Sequence, residues 1–145
     1  MAGLFNRVLC PIDFSSNSVA ALETARQMAA QSKGAITLLY VLPPPIEVGQ
    51  PVVIRPVPDA WAVADQHLKA VAADKLNGAI PYETDVVVGF VAPEIIEATR
   101  RHHCDSVVMA THGRTGLKHL ILGSVAEHVV RESRVPVLTV RPEET

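Results

Sequence analysis

Between Ala110 and Ser124 the chain gathers residue types suited to holding phosphate groups. The stretch Ala110-Thr111-His112-Gly113-Arg114-Thr115-Gly116-Leu117-Lys118-His119-Leu120-Ile121-Leu122-Gly123-Ser124 carries three glycines and three hydroxyl side chains, Thr111, Thr115 and Ser124. It also carries four groups that are or become cationic: His112, Arg114, Lys118 and His119. Glycines let backbone N–H groups approach a ligand closely. Gly123-Ser124, at the start of a helical pattern, would add free N–H groups and a positive dipole end. An ordinary glycine-rich connection with a solvated basic face has the same composition, so composition alone leaves both readings open. The patterns G-x-x-x-x-G-K-[ST] and G-x-G-x-x-G are absent, so a phosphate site here requires a different and longer loop.

A second candidate is Asp13, which closes an apolar run just before Ser15, Ser16 and Ser18. It could bind a ligand or serve only as a turn or cap. Other groupings carry less chemistry. His102, His103, Cys104 and Asp105 have the composition of a metal site, but neighbours on a helix do not converge on one ion, and histidine suits a helix C-terminus. His128 and Glu132, four apart, are expected to form a surface pair. Trp61 falls on an apolar helical stripe and is expected in the core. The two cysteines, Cys10 and Cys104, are far apart and read as buried thiols. Neither G-x-S-x-G nor H-E-x-x-H occurs, and no catalytic residue is assigned.

The elements that must position these residues alternate between two kinds. Short, nearly continuous apolar runs predict strands buried on both faces: 7–12, 35–41, 84–88, 106–109 and 135–140. Between them lie helical spacings. Val19, Leu22, Ala25 and Ala29 form the first stripe, with Gly34 as its stop. Trp61, Ala64, Leu68, Val71, Ala72 and Leu76 form the second, ending at Asn77-Gly78. Ile95, Ile96 and Thr99 form the third, with Pro93 and Glu94 in its first turn. Val125, Val129 and Val130 form the fourth, opened by Ser124 and Glu127 at capping-box spacing. Alternating strands and helices joined by right-handed crossovers give a parallel sheet with helices on both faces. Pro136 cannot donate to a ladder, which puts the last strand at an edge or makes Pro136 its first residue. Residues 43–58 hold six prolines and read as a long stiff loop within the domain, a lid or contact surface.

Length and charge narrow the function further. The 145 residues, 48% of them apolar, suit one domain with a true core. A net charge of −2 offers no excess of positive charge to drive nucleic-acid binding. No apolar run approaches the roughly 18–20 residues of a membrane span. Met1–Arg7 lacks the pattern of a secretion signal, so the protein is expected in the cytoplasm.

At the loop described above the sequence resembles the universal stress protein family. The resemblance is carried by Val107-Val108-Met109-Ala110-Thr111-His112-Gly113-Arg114-Thr115-Gly116, by Leu122-Gly123-Ser124-Val125-Ala126-Glu127 and by Val135-Pro136-Val137-Leu138-Thr139-Val140-Arg141. Val8-Leu9-Cys10-Pro11-Ile12-Asp13-Phe14-Ser15, Leu38-Leu39-Tyr40-Val41 and Val88-Gly89 fall in matching places. It implies a single Rossmann-like α/β domain over residues 1–145, with a five-stranded parallel sheet in the order 3-2-1-4-5. It also implies a homodimer through the last strand and, in one branch, adenine-nucleotide binding. That branch has a glycine, two residues, a glycine, nine residues and Gly-Ser or Gly-Thr. Gly113, Gly123 and Ser124 match, and Ala110 stands where the first glycine would be, with alanine's narrower range of φ. By this matching Asp13, beside Pro11 and Ile12, would hold ribose hydroxyls. Val41 would offer backbone groups to adenine. Met109, Gly113, Gly123, Ser124 and Val125 would surround the phosphates and ribose. The expected ligand is ATP, with Mg²⁺ bridging phosphates, in a stress-response module. The alternatives are a nucleotide-free dimeric interaction protein and a slow ATP hydrolase.

Overall fold

A computed structural model describes residues 3–44, 58–113 and 122–141. In chain order the elements are β1 (Arg7–Pro11), α1 (Ser16–Ser32), β2 (Ala35–Leu42), α2 (Pro58–Leu76), β3 (Tyr82–Val88), α3 (Val91–Arg101), β4 (Ser106–Ala110), α4 (Ser124–Glu132) and β5 (Val137–Val140). The strands form one parallel sheet in the order β3-β2-β1-β4-β5, as expected. Residues 45–57, most of the proline-rich stretch, lie outside the described residues.

Alternate residues of each central strand enter different cores, which is why these strands read as unbroken apolar runs. Val8, Cys10, Leu38 and Val108 pack under α1 and α2 with Leu22, Leu68 and Leu76. Leu9, Leu39, Val107 and Met109 pack on the other face under α3 and α4, with Ile95 and Val129. β5 lies at an edge, and Pro136 immediately precedes it, its carbonyl accepting the Val107 N–H at 2.9 Å. The proline thus contributes an acceptor without having to donate. No helix among the described residues is long and apolar enough to cross a membrane.

Four local expectations need correction. Lys33, not Gly34, takes the left-handed conformation at the end of α1, with φ 55°. Gly34 is required for close approach instead, because a Cβ there would collide with the backbone of Phe5 and Asn6. Trp61 is not core: it is 41% exposed, and its indole N–H donates to the Val86 carbonyl at 3.0 Å. It covers one backbone acceptor on the outer edge of β3, a position where unpaired strand groups invite pairing with other chains. No ion pair joins His128 to Glu132 among the described residues; Glu132 stands 3.5 Å from Arg131, which also pairs with Glu127. The fourth correction, at Ser124, belongs to the site.

Candidate functional site

β1 and β4 are neighbours, yet the chain leaves them toward opposite edges of the sheet. At such a switch point the connections diverge and leave a crevice beyond the carboxyl ends of the strands. A cavity of about 600 Å³ lies there. All ten residues singled out from sequence line it. Pro11, Ile12 and Asp13 come from the end of β1, and Val41 from β2. Met109, Ala110 and Gly113 come from β4 and the turn after it. Gly123, Ser124 and Val125 come from the start of α4.

Asp13 is held from two sides. One carboxylate oxygen accepts the Ser15 N–H at 2.9 Å and the Ser15 hydroxyl, and the Asp13 N–H points to the Ser18 hydroxyl at 3.3 Å. Ser15 also caps α1, its hydroxyl accepting the Ser18 N–H at 3.2 Å. The carboxylate is therefore both a turn residue, as an Asx-type turn requires, and part of the cavity wall. The two sequence readings of Asp13 do not exclude each other.

Beside it, Gly113 approaches this carboxylate so closely that a side chain at 113 would collide with Asp13 Oδ2. Asn17, in the first turn of α1, donates to the His112 carbonyl at 3.3 Å and ties this turn to the helix behind Asp13. Gly123 closes the far end. Its N–H donates to the Thr111 carbonyl at 2.7 Å, and a Cβ on it would stand only 3.1 Å from that oxygen. The end of β4 and the start of α4 thus meet at this backbone bond.

Ser124 corrects the capping-box expectation. It is the first helical residue, and Gly123 is the N-cap, with an extended backbone at φ −69° and ψ 167°. The Gly123 carbonyl already accepts the Glu127 N–H, so the helix begins one residue earlier than a Ser124 cap would allow. A glycine cap has no side chain to offer, and no side-chain hydrogen bond caps α4. The first turn of this helix, with its positive dipole end, therefore lines the cavity without a side-chain cap, and its acidic residue, Glu127, pairs with Arg131.

Ala110 closes β4, and its φ is not positive. The strand geometry suits alanine as well as glycine here, and the effect of the substitution is a methyl group in the cavity wall. His112, one of the cationic groups of this loop, also lines the cavity. Its Nδ1 lies 3.1 Å from the Thr111 hydroxyl oxygen, and its Nε2 is buried without a hydrogen-bond partner. It is the one buried side-chain polar atom in this condition among the described residues. Such an orphan costs about 1–3 kcal/mol, which makes it a marker of an unmet partner. Arg114, Thr115, Gly116, Lys118 and His119 lie outside the described residues.

The residues with a metal-like composition do not line the cavity. His102 ends α3 and bonds to Asp85 at 2.7 Å, with Glu83 at 3.1 Å from its other ring nitrogen. Arg101 reaches the same Asp85 oxygen at 2.7 Å. Burial raises the Asp85 carboxyl, but hydrogen bonds from His102 and Arg101 outweigh it and leave the group below its ordinary range. Asp105 accepts the N–H groups of Phe5, Asn6 and Arg7 at 2.9–3.0 Å and fixes the entry to β1.

An open parallel sheet in the order 3-2-1-4-5, with a cavity at its switch point, defines a doubly wound α/β domain. Comparison narrows the class. Residues 4–141 match the universal stress protein family, and the chain belongs to that family. The universal stress protein MJ0531 of Methanocaldococcus jannaschii is 30% identical over 95% of this chain and 83% of its own length. The solved structure of the M. jannaschii protein MJ0577 matches 99% of this chain and 100% of its own, with a TM-score of 0.77 at 22% identity. A universal stress protein solved in complex with cAMP matches 97% of this chain and 100% of its own, with a TM-score of 0.65 at 25% identity.

Proposed function

We propose that the protein binds an adenine nucleotide in the switch-point cavity, with ATP as the ligand, and acts as a regulatory module of the stress response. The observation that carries this reading is one juxtaposition. The Asp13 carboxylate, with Gly113 against it, lines the same cavity as Gly123 and the start of α4, which no side chain caps. A carboxylate repels phosphate and accepts hydrogen bonds from hydroxyl groups, so Asp13 belongs at the ribose. A helix start with a glycine cap attracts phosphate and lets it approach the backbone. The Asp13 carboxylate and the start of α4 therefore suit the two polar parts of a nucleotide. Val41, Met109 and Val125 supply apolar wall for the base and sugar, with Pro11, Ile12 and Ala110 completing the β-strand side. A phosphate oxygen would also give His112 Nε2 the partner it lacks. The cAMP-bound relative supports an adenine nucleotide as the ligand class.

Asp13 is the only carboxylate on the cavity wall among the described residues, so Mg²⁺ would be carried in by the phosphates rather than by a protein cage. Dimerisation through β5 accords with this reading, because all four of its residues are only half-buried along an open edge. The test is an ATP titration of nucleotide-free protein beside its Asp13→Ala variant. Binding by the wild type, weakened at least about tenfold by Asp13→Ala, supports the assignment. Equal affinities would remove Asp13 from the site.

A further inference from the structure

The turn that carries Asp13 contains a bulky residue in a conformation that bulky residues avoid. Phe14 has φ 65°, in the left-handed region. For a bulky aromatic side chain this is an outlier, and it persists only where the surroundings hold it. The Asx-type bond from Ser15 to Asp13 spans the turn, but it does not touch the ring. The ring has its own partners. It stacks on the His67 imidazole of α2, with centroids 3.8 Å apart and planes within 5°. It also meets the Tyr40 ring of β2 at 4.8 Å and 42°.

These contacts join the Asp13 turn to β2 and α2. Tyr40 lines the nucleotide cavity next to Val41. Phe14, Tyr40 and His67 together border a second cavity of about 420 Å³ beside the start of α2. His67 contributes nothing to the wall of the nucleotide cavity, yet it is stacked on the residue that follows Asp13. Were the ring released, Phe14 could relax to negative φ. That rotation would turn the peptide groups joining it to Asp13 and Ser15.

We infer that Phe14 is a positioning residue for the bound nucleotide. The His67–Phe14–Tyr40 stack holds the turn in its left-handed form and so keeps the Asp13 carboxylate on the cavity wall. This inference rests on the nucleotide reading of the cavity. It makes α2 a support for the ribose end of the site, although α2 itself is remote from the phosphates.

The experiment is a calorimetric ATP titration of wild type, His67→Ala, His67→Phe and Phe14→Gly, with circular dichroism and a thermal melt for each. His67 is exposed, so its replacement leaves the core untouched. His67→Ala is expected to weaken ATP binding by about 5- to 30-fold, the value of one strained backbone state. His67→Phe keeps a flat ring against Phe14 and is expected to stay within about threefold of wild type. Phe14→Gly removes the backbone strain together with the ring, so it distinguishes the two. Glycine adopts the left-handed backbone without strain, so the clamp predicts that Phe14→Gly, though it lacks the ring, binds ATP within about threefold of wild type. If His67→Ala binds ATP as wild type does, or Phe14→Gly loses binding as strongly as His67→Ala, the clamp is overturned while the nucleotide site stands. If wild type itself binds no ATP up to millimolar concentration, the nucleotide reading fails and the clamp falls with it.

Discussion

Gly113→Ala adds one methyl group where the proposed site is tightest. The new Cβ would meet Asp13 Oδ2, and the carboxylate cannot simply withdraw, because its other oxygen is fixed by the Ser15 N–H at 2.9 Å. If it turns away, it loses that bond or its place on the cavity wall. Loss of one charge-assisted hydrogen bond costs about 1.5–3 kcal/mol, or roughly 10- to 150-fold in affinity. The fold itself has no need of this glycine. Gly113 is exposed, lies beyond the end of β4 and does not have a positive φ, so alanine fits its backbone. The stability loss should therefore not exceed about 1–3 kcal/mol, the value of the Ser15–Asp13 bond if the carboxylate gives it up. Isothermal calorimetry with ATP reads the affinity, and a thermal melt reads the fold. An affinity within about threefold of wild type, with an intact fold, would refute the reasoning that Gly113 makes room for Asp13. Gly123→Ala supplies a comparison. Its Cβ would stand 3.1 Å from the Thr111 carbonyl oxygen, a contact relieved by a shift of a few tenths of an ångström, and the loss should be smaller.

Other consequences lie away from the cavity. Asp105→Ala leaves three partly buried or exposed backbone N–H groups, at Phe5, Asn6 and Arg7, without their acceptor. It should destabilise the protein by about 2–4 kcal/mol, measured by urea unfolding. Asp85 has a folded-state pKa below its ordinary value, so its stabilising effect is complete above the ordinary carboxylate range and is lost as pH falls through the lowered value. The stability difference between wild type and Asp85→Asn should therefore be constant near neutral pH and shrink in acid. A difference that grows on acidification would contradict the sign. Burial pushes the Cys10 thiol up to about 12 and the Cys104 thiol up to about 11. Iodoacetamide at pH 8 should label neither in the native protein and both after unfolding, as read by mass spectrometry.

Much of this architecture was legible in the sequence, because a strand buried on both faces leaves a continuous apolar run and the adjoining helices leave a different period. Leu38 and Leu39 illustrate the point: adjacent in sequence, they enter opposite cores. The ten cavity residues were legible through the family likeness and the rule that ligands collect at strand ends. What stayed hidden depends on geometry between segments far apart in sequence. Trp61 fits an apolar helical stripe, but α2 begins beside the edge of β3, and the indole N–H finds a carbonyl there instead of the core. Ser124 has the spacing of a cap, yet the Thr111 carbonyl draws Gly123 into that position. Asn17 looks like any polar residue of a first helical turn, and only the fold brings it to the His112 carbonyl 95 residues away. Phe14 gave no signal as a left-handed residue, because its ring partner His67 lies on a helix beyond the proline-rich stretch.

The central claim is that the switch-point cavity holds an adenine nucleotide. The most direct measurement is mass spectrometry of small molecules released by denaturing freshly purified protein, followed by ATP titration of the emptied protein. The account predicts ATP, ADP or AMP near one per chain, or saturable ATP binding when the emptied protein is titrated. Absence of released nucleotide, together with no binding up to millimolar ATP, would contradict it.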